Sequence, residues 1–288
     1  MPNILEICNL SKDYGDFKLK NVSFELPRGT IMGLIGPNGA GKTTVIKLIL
    51  NLIRRDSGTV RIFGLDNLGD EAAVKSRIGF VHDTPLFYDR LRLKNLKAQV
   101  APFYEKWDEN LFQRLLREFD LPPGKIFAKL SRGMKMKFAL ALALSHDADL
   151  ILLDEPTSGL DPVFRRDLLS RLSAIIQDET KSVLFSTHVT SDLERIADSI
   201  TFIRDGEIVF STGKDDLLDR WGVIKGGNDL LTDETAKLFK GFRRREFGFE
   251  ALTDDAAAAR RRFGESVAVD KVTLEDIMFF MTRGDRRV

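Results

Sequence analysis

Gly36-Pro37-Asn38-Gly39-Ala40-Gly41-Lys42-Thr43 fits the phosphate-binding pattern G-x-x-x-x-G-K-S/T without a mismatch. It follows the apolar run Ile31-Met32-Gly33-Leu34-Ile35 and opens the stretch Lys42 to Ile53, which reads as a helix. Strand, loop and helix in that order are the context the motif requires. Glycines let successive backbone N–H groups converge on one point, and the helix N-terminus adds partial positive charge for phosphate oxygens. Lys42 can then reach the β- and γ-phosphates, and the Thr43 hydroxyl can ligate Mg2+. Gly36, Asn38, Gly39, Ala40, Gly41, Lys42, Thr43 and Thr44 are therefore expected to hold a nucleoside triphosphate.

The chain has 288 residues, enough for one large domain and a smaller one. Its 43% hydrophobic and 30% charged content supports a sizeable core and argues against disorder. With 44 basic against 43 acidic side chains the net charge is +1, which gives no global field for nucleic acid. Two arginine clusters, Arg243-Arg244-Arg245 and Arg260-Arg261-Arg262, lie in a tail (223–288) holding 13 Lys and Arg against 12 Asp and Glu. That balance favours solvated faces or dimer contacts over nucleic acid or lipid. The single cysteine, Cys8, suits a reducing compartment, and in the alternating run Ile4-Leu5-Glu6-Ile7-Cys8 it reads as a small core residue rather than a reactive thiol. The opening residues show no secretion signal, and no apolar stretch approaches the ~20 residues of a membrane helix. A cytosolic protein that does not itself cross a membrane is expected.

Residues 4–10, 17–26 and 58–63 alternate with period two between turns, which predicts antiparallel strands. The runs 31–35, 77–81, 149–153, 182–186 and 200–204 are apolar without alternation, as in a parallel sheet covered on both faces. The helix after the phosphate loop carries apolar residues nearly all round and should be buried. From Leu86 to about His146 the pattern turns helical, predicting an inserted helical subdomain over 87–146. After Trp221 the character changes, with Gly226-Gly227-Asn228 as a boundary signal. The tail offers a strand near 242–249, a helix starting at Thr253, a strand at 266–272 and a last helix from Thr273, whose Asp276 completes a capping box. The expected organisation is a mixed α/β core of a largely parallel sheet, an antiparallel β subdomain and a helical subdomain over 1–222, with a small α/β appendage over 223–288.

Further motifs carry chemistry. Leu150-Ile151-Leu152-Leu153-Asp154-Glu155 is an apolar strand ending in two acids. Asp154 is placed to hold Mg2+ through an ordered water, and Glu155 to orient or deprotonate an attacking water; two acids after a strand can equally cap a helix. Leu130-Ser131-Arg132-Gly133-Met134 precedes a helix rich in Ala and Leu, Ser158-Gly159-Leu160-Asp161-Pro162 follows the acidic pair, and Ser186-Thr187-His188 ends a later strand.

In order and spacing these motifs resemble those of ATP-binding cassette (ABC) proteins over residues 4–210, about three quarters of the chain. Leu130 to Met134 is similar to the family's LSGGQ signature, with Arg132 and Met134 as departures; Ser158 to Pro162 resembles its D-loop, and His188 its switch histidine, although a lone histidine at a strand end is usually structural. Tyr14 lies where the family places an adenine-stacking aromatic. The resemblance implies head-to-tail pairing with a second ATPase subunit around two ATP molecules. Ser131 and the Gly133 backbone of one copy would contact the γ-phosphate held by Lys42 of the other, His188 would hold that phosphate or the attacking water, and Asp161 would tie the two sites together. In Ile78-Gly79-Phe80-Val81-His82-Asp83 the family usually ends with a glutamine that touches magnesium; here Asp83 stands as the candidate Mg2+ ligand, with His82 or a plain loop acid as alternatives.

This substitution, the Ser-Arg-Gly-Met-Lys signature and the tail Val272-Thr273-Leu274-Glu275-Asp276-Ile277 resemble a subset of bacterial exporter ATPases made separately from their membrane subunits, among which acetoin, bacitracin and small amphipathic peptide exporters are known. The resemblance thus implies an ATPase on the inner face of the cell membrane, partnered by a polytopic membrane subunit and not by nucleic acid. Phe87, Tyr88, Leu91, Leu96 and Phe103 either receive a short helix from that subunit or are simply core. The competing readings are a soluble ABC ATPase acting on DNA or ribosomes, against which stand the single cassette and absent heptads, and a regulatory ATP-binding module with little turnover.

Overall fold

The computed structural model describes residues 2–85 and 87–283; Leu86, where the helical pattern was expected to begin, and the tail's last five positions, 284–288, lie outside the described residues. The chain divides into two compact units, Met1–His188 with Thr201–Phe210, and Val189–Ile200 with Ser211–Val288.

In the first unit the alternating segments form an antiparallel sheet of β1 (Asn3–Asp13), β2 (Lys18–Pro27), β4 (Ser57–Ile62) and β5 (Leu65–Asp66), in the order β2-β1-β4-β5. The non-alternating runs become β3 (Ile31–Ile35), β6 (Ile78–Val81), β7 (Leu150–Asp154), β8 (Ser182–Thr187) and β9 (Ser199–Arg204), which with β10 (Glu207–Gly213) make a second sheet ordered β10-β9-β3-β8-β7-β6. β3, β8, β7 and β6 run parallel. Every residue of β3, β7 and β8 is buried, as strands covered on both faces require.

The helix α1 (Lys42–Ile49) stops short of the expected Ile53. Asn51 takes φ 50, its N–H bonds to Leu48 O at 3.2 Å and that of Leu52 to Lys47 O at 2.9 Å, the paired bonds of a left-handed C-terminal cap. Leu52 is consequently 53% exposed rather than buried. Cys8 is also exposed, correcting its reading as core: β1 carries register shifts, and the adjacent Asn9 has φ 49, so strict alternation fails there.

After the short α2 (Glu71–Lys75), the insertion supplies α3 (Leu93–Val100), α4 (Glu109–Glu118) and α5 (Arg132–Leu144), and α6 (Pro162–Ile175) follows β7. Asp108 caps α4 by accepting the Leu111 N–H at 2.8 Å, and its own N–H reaches Ser145 O at 2.7 Å, tying α4 to the end of α5. Among the insertion's candidates for receiving a partner helix, Leu96 is core at 1% exposure, whereas Tyr88 and Phe103 are 74% and 78% exposed.

The second unit holds α7 (Thr190–Ile196) and α8 (Lys214–Arg220), then β11 (Gly222–Gly226), α9 (Asp233–Ala236), β12 (Gly241–Arg245), β13 (Gly248–Thr253), α10 (Ala256–Phe263), β14 (Val267–Lys271) and α11 (Leu274–Arg283). The strand expected near 242–249 is a hairpin of two, and Gly226 ends a strand of this sheet. The order β12-β13-β11-β14, all antiparallel, with helices between, is the split βαβ arrangement. α10 starts at Ala256 rather than Thr253, because Asp255 is the residue whose carboxylate accepts the Ala258 N–H, at 2.7 Å. The capping box forms as expected: Asp276 accepts the Thr273 N–H at 3.0 Å and donates its own N–H to Thr273 Oγ1 at 3.1 Å.

His146, just after α5, is 2% exposed and stacks on Tyr104 with ring centroids 3.8 Å apart. Its Nδ1 is buried without a hydrogen-bond partner. Burial disfavours the imidazolium and pulls its pKa from 6.5 down to about 4. Below 6.5 the unfolded chain gains a proton that the folded chain refuses until about 4, so this group costs stability as pH falls through that window. His146→Phe, which keeps a ring against Tyr104, should lose less stability than wild type between pH 6.5 and 4 by about 2–3 kcal/mol. Urea unfolding at both pH values measures the difference, and parallel losses would refute it.

Candidate nucleotide site

The phosphate loop hangs between β3 and α1 under close backbone constraints. A Cβ on Gly36 would lie 2.1 Å from Ile203 O, so only glycine fits beneath the neighbouring strand. Gly41, the residue before α1, has φ 110, and a side chain there would meet the Phe17 ring at 3.0 Å. Through that contact the β1–β2 turn, which carries the 50% exposed Tyr14, is brought to the loop. Asn38 and Gly39 are exposed, Ala40 is buried with its carbonyl accepting the Gly206 N–H at 3.2 Å, and Thr44 is half-buried.

Lys42 is 6% exposed, and its Nζ donates to Gly36 O at 2.8 Å and Pro37 O at 3.2 Å. Glu155 Oε1 lies 3.6 Å away. Burial lowers the lysine's pKa, opposed by the nearby charges of Glu155 and Asp154. The Thr43 hydroxyl donates to Asp154 Oδ2 at 2.7 Å, and Ser186 donates to Oδ1 at 2.9 Å. Asp154 is fully buried, and that burial raises its pKa against the lowering effect of those two bonds.

Strand register explains the convergence. Asp154 pairs with Ser186 across β7 and β8, and Ile35 with Thr187 across β3 and β8. Parallel strands thus deliver loop, acid and histidine to one edge, the carboxyl ends where ligands bind in such sheets. Glu155 departs from regular geometry with φ 50, a conformation costing a non-glycine residue about 1–2 kcal/mol. Its N–H bonds to Ser186 O at 2.9 Å and holds the turn. Its Oε2 accepts from His188 Nδ1 at 2.8 Å and from Thr187 Oγ1 at 3.3 Å. The carboxylate fixes the Nδ1–H tautomer and leaves Nε2 out of that bond. Thr187 and Ser186 were seen in the sequence only as neighbours of His188; strand register is the signal that assigns them contacts.

His82, Asp83 and Asp154 present ligand atoms within 4.8 Å of one another. His82 Nδ1 accepts the Thr84 N–H at 3.1 Å, yet lies 2.5 Å from Asp83 Oδ1, which is buried and has no hydrogen-bond donor. Two acceptors at that distance need a proton on the imidazole or a cation between them. The oxygen-rich set, with an orphaned carboxylate oxygen, fits a divalent ion such as Mg2+.

A second group lies on the helical side. Ser131 is exposed and caps α5, accepting the Met134 N–H at 3.2 Å. Arg132 Nη2 donates to Ser158 Oγ at 3.2 Å, a Cβ on Gly133 would sit 3.5 Å from Gly159 O, and Lys137 Nζ lies 3.8 Å from Asp161 Oδ2. Asp161 also caps α6 by accepting the Phe164 N–H at 2.9 Å, and is held ionised chiefly by that bond. Arg132, read in the sequence only as a departure from the signature, and Lys137, overlooked there, thus join the signature-like turn to the segment after Glu155.

The chain is similar to several known proteins. The family model for ABC transporters matches residues 19–158. The chain is 35% identical over 213 residues to the bacitracin transport ATP-binding protein BcrA of Enterococcus faecalis, covering 73% of this chain and 69% of that one. It is 33% identical to the ABC transporter ATP-binding protein YtrB of Bacillus subtilis, covering 76% and 75%. The solved structure of an ATP binding subunit of an ABC transporter superposes with TM-score 0.69 at 31% identity, over 75% of this chain and 92% of that one. With the phosphate loop, the buried acid and the glutamate–histidine pair gathered at one sheet edge, the chain belongs to the ABC transporter family, as one of its ATP-hydrolysing subunits.

Proposed function

We propose that this subunit powers an exporter, docked on the cytoplasmic face of a separate polytopic membrane subunit, and that it works by ATP-driven head-to-tail pairing with a second ATPase subunit. The observation carrying the catalytic part is the Glu155–His188 pair beside Lys42. On this reading Lys42 exchanges its bonds to the loop's own carbonyls for phosphate oxygens. Glu155 orients or deprotonates the attacking water, and His188 faces the γ-phosphate side through Nε2. Thr43, Asp154 and Asp83 would hold Mg2+, which would supply charge neutralisation to the triphosphate. Ser131 and the Gly133 backbone serve the phosphate held by the opposite subunit, with Asp161 bridging the two sites, and Tyr14 stacks on the adenine. Residues 1–222 form the ATPase domain, with its helical subdomain over 87–146, and 223–288 an accessory domain.

Exporter function is supported by the likeness to a bacitracin transport protein. No helix among the described residues is long and apolar enough to cross a membrane. Docking is supported by a cleft of about 440 Å3 in the helical region, lined by Phe87, Phe127, Leu130, Arg132 and Lys135 among others, which suits a short amphipathic helix. It adjoins both His82-Asp83 and Ser131, so a helix seated there would touch the two halves of the nucleotide machinery.

Glu155→Gln should bind ATP, turn it over ~10²–10⁴-fold more slowly and accumulate as a dimer on sizing columns with MgATP. A monomer with unimpaired turnover would remove Glu155 from its role. Asp83→Asn should raise the Mg2+ concentration for half-maximal turnover by about tenfold or more, and an unchanged requirement would make Asp83 a plain loop acid. Tagged protein taken from detergent-solubilised membranes should carry a stoichiometric polytopic protein, lost on Tyr88→Asp, at the exposed residue between the cleft-lining Phe87 and Asp89. Recovery of ribosomes or DNA instead would favour a soluble ABC ATPase.

A further inference from the structure

Glu155 meets its surroundings unevenly through its two carboxylate oxygens. Three donors from the end of β8 and the residue after it converge on Oε2: His188 Nδ1 at 2.8 Å, the Thr187 hydroxyl at 3.3 Å and the His188 N–H at 3.4 Å. Oε1 instead faces Lys42 Nζ, 3.6 Å away. The two side chains among these donors are not equally committed to the carboxylate. That of His188 is 45% exposed, and on the proposed reading it also serves the γ-phosphate through Nε2. Thr187 is fully buried, in a strand flanked by β3 and β7 and in register with Ile35. Its branched Cβ restricts χ1, so the hydroxyl keeps its direction whatever the histidine does.

We propose that Thr187 is a positioning residue for hydrolysis: its hydroxyl anchors Glu155 Oε2 to β8, so that Oε1 is the oxygen presented to the attacking water. The inference rests on the reading of Glu155 as the group that orients or deprotonates that water. A glutamate side chain is rich in rotamers, and an anchor on one oxygen fixes where the other points. Ordering it beforehand spares the reaction that entropy. When Lys42 turns to phosphate oxygens, Oε1 becomes the open acceptor of the carboxylate while Oε2 keeps its anchor. An O–H···O separation of 3.3 Å is long for a hydroxyl, and bonds among catalytic groups of this kind tighten as the reacting complex forms.

Steady-state turnover of the full chain with MgATP tests this. Thr187→Val, which keeps the shape and removes the hydroxyl, should lower kcat about tenfold or more while KM for ATP stays within about twofold. Thr187→Ser, which restores the hydroxyl, should recover kcat to within about threefold of wild type. Should the valine variant lose ATP binding, Thr187→Ala removes the hydroxyl without the added methyl and carries the same comparison. Because Thr187 acts through the carboxylate, adding Thr187→Val to Glu155→Ala should change the residual turnover by less than about twofold. Wild-type kcat in the valine variant, no recovery by serine, or an equal slowing with and without Glu155 would overturn the assignment of Thr187 and leave the role of Glu155 standing. Unimpaired turnover by Glu155→Ala would overturn both.

Discussion

The Asp154 carboxylate, fully buried and held by Thr43 at 2.7 Å and Ser186 at 2.9 Å, is the contact on which the site depends. A carboxylate in that setting is expensive unless both oxygens are satisfied. Each hydroxyl comes from a different element, so satisfying the acid locks α1, β7 and β8 to one another. Burial raises the acid's pKa, and the two neutral hydroxyl donors offset only part of that effect. The fold thus stores an affinity for positive charge at the point where the phosphate loop meets the sheet edge, and a divalent cation there would reverse the raising effect.

Backbone close approaches do the rest of the positioning. Gly206 has φ 79 and leaves a Cβ only 1.9 Å from Lys18 O, while Lys20 N–H bonds to Gly206 O at 2.8 Å. The antiparallel sheet is thereby pinned against the β9–β10 turn, and Phe17 is set beside Gly41. Phe17 reaches the loop because two glycines permit contacts that no side chain would.

The phosphate loop was legible because its determinants are local: glycines, a lysine and a preceding strand within a dozen residues. The parallel sheet was legible from burial without alternation. Contacts set by register were not. Nothing in the spacing of Ser186 and Asp154 reveals that they are cross-strand partners, nor that Asp83 on the loop after β6 adjoins Asp154 at the end of the neighbouring β7. The early stop of α1 was missed because Asn51 in a left-handed cap looks, in sequence, like one more tolerated polar residue. In the tail, Glu246-Phe247 divides two strands with no glycine or proline of its own, so the hairpin read as a single strand.

Gly133 bears on how the two halves of the machinery meet. Unlike Gly36, it is under no compulsion from its own chain: a Cβ would meet Gly159 O at 3.5 Å, an ordinary contact, and its φ is not left-handed. Glycine in the first turn of a helix costs up to about 1 kcal/mol relative to alanine. A residue that neither sterics nor backbone geometry demands, placed beside the exposed Ser131 at a helix N-terminus, keeps backbone N–H groups open to an approach from outside the chain. Phosphate is the partner such a turn favours. Lys42, meanwhile, already has its phosphate cradle in its own loop, and the Ser131 turn is built around its own contacts to Ser158, Gly159 and Asp161. On the proposed head-to-tail pairing, each chain would contribute its phosphate loop to one of the two sites and its open turn to the other.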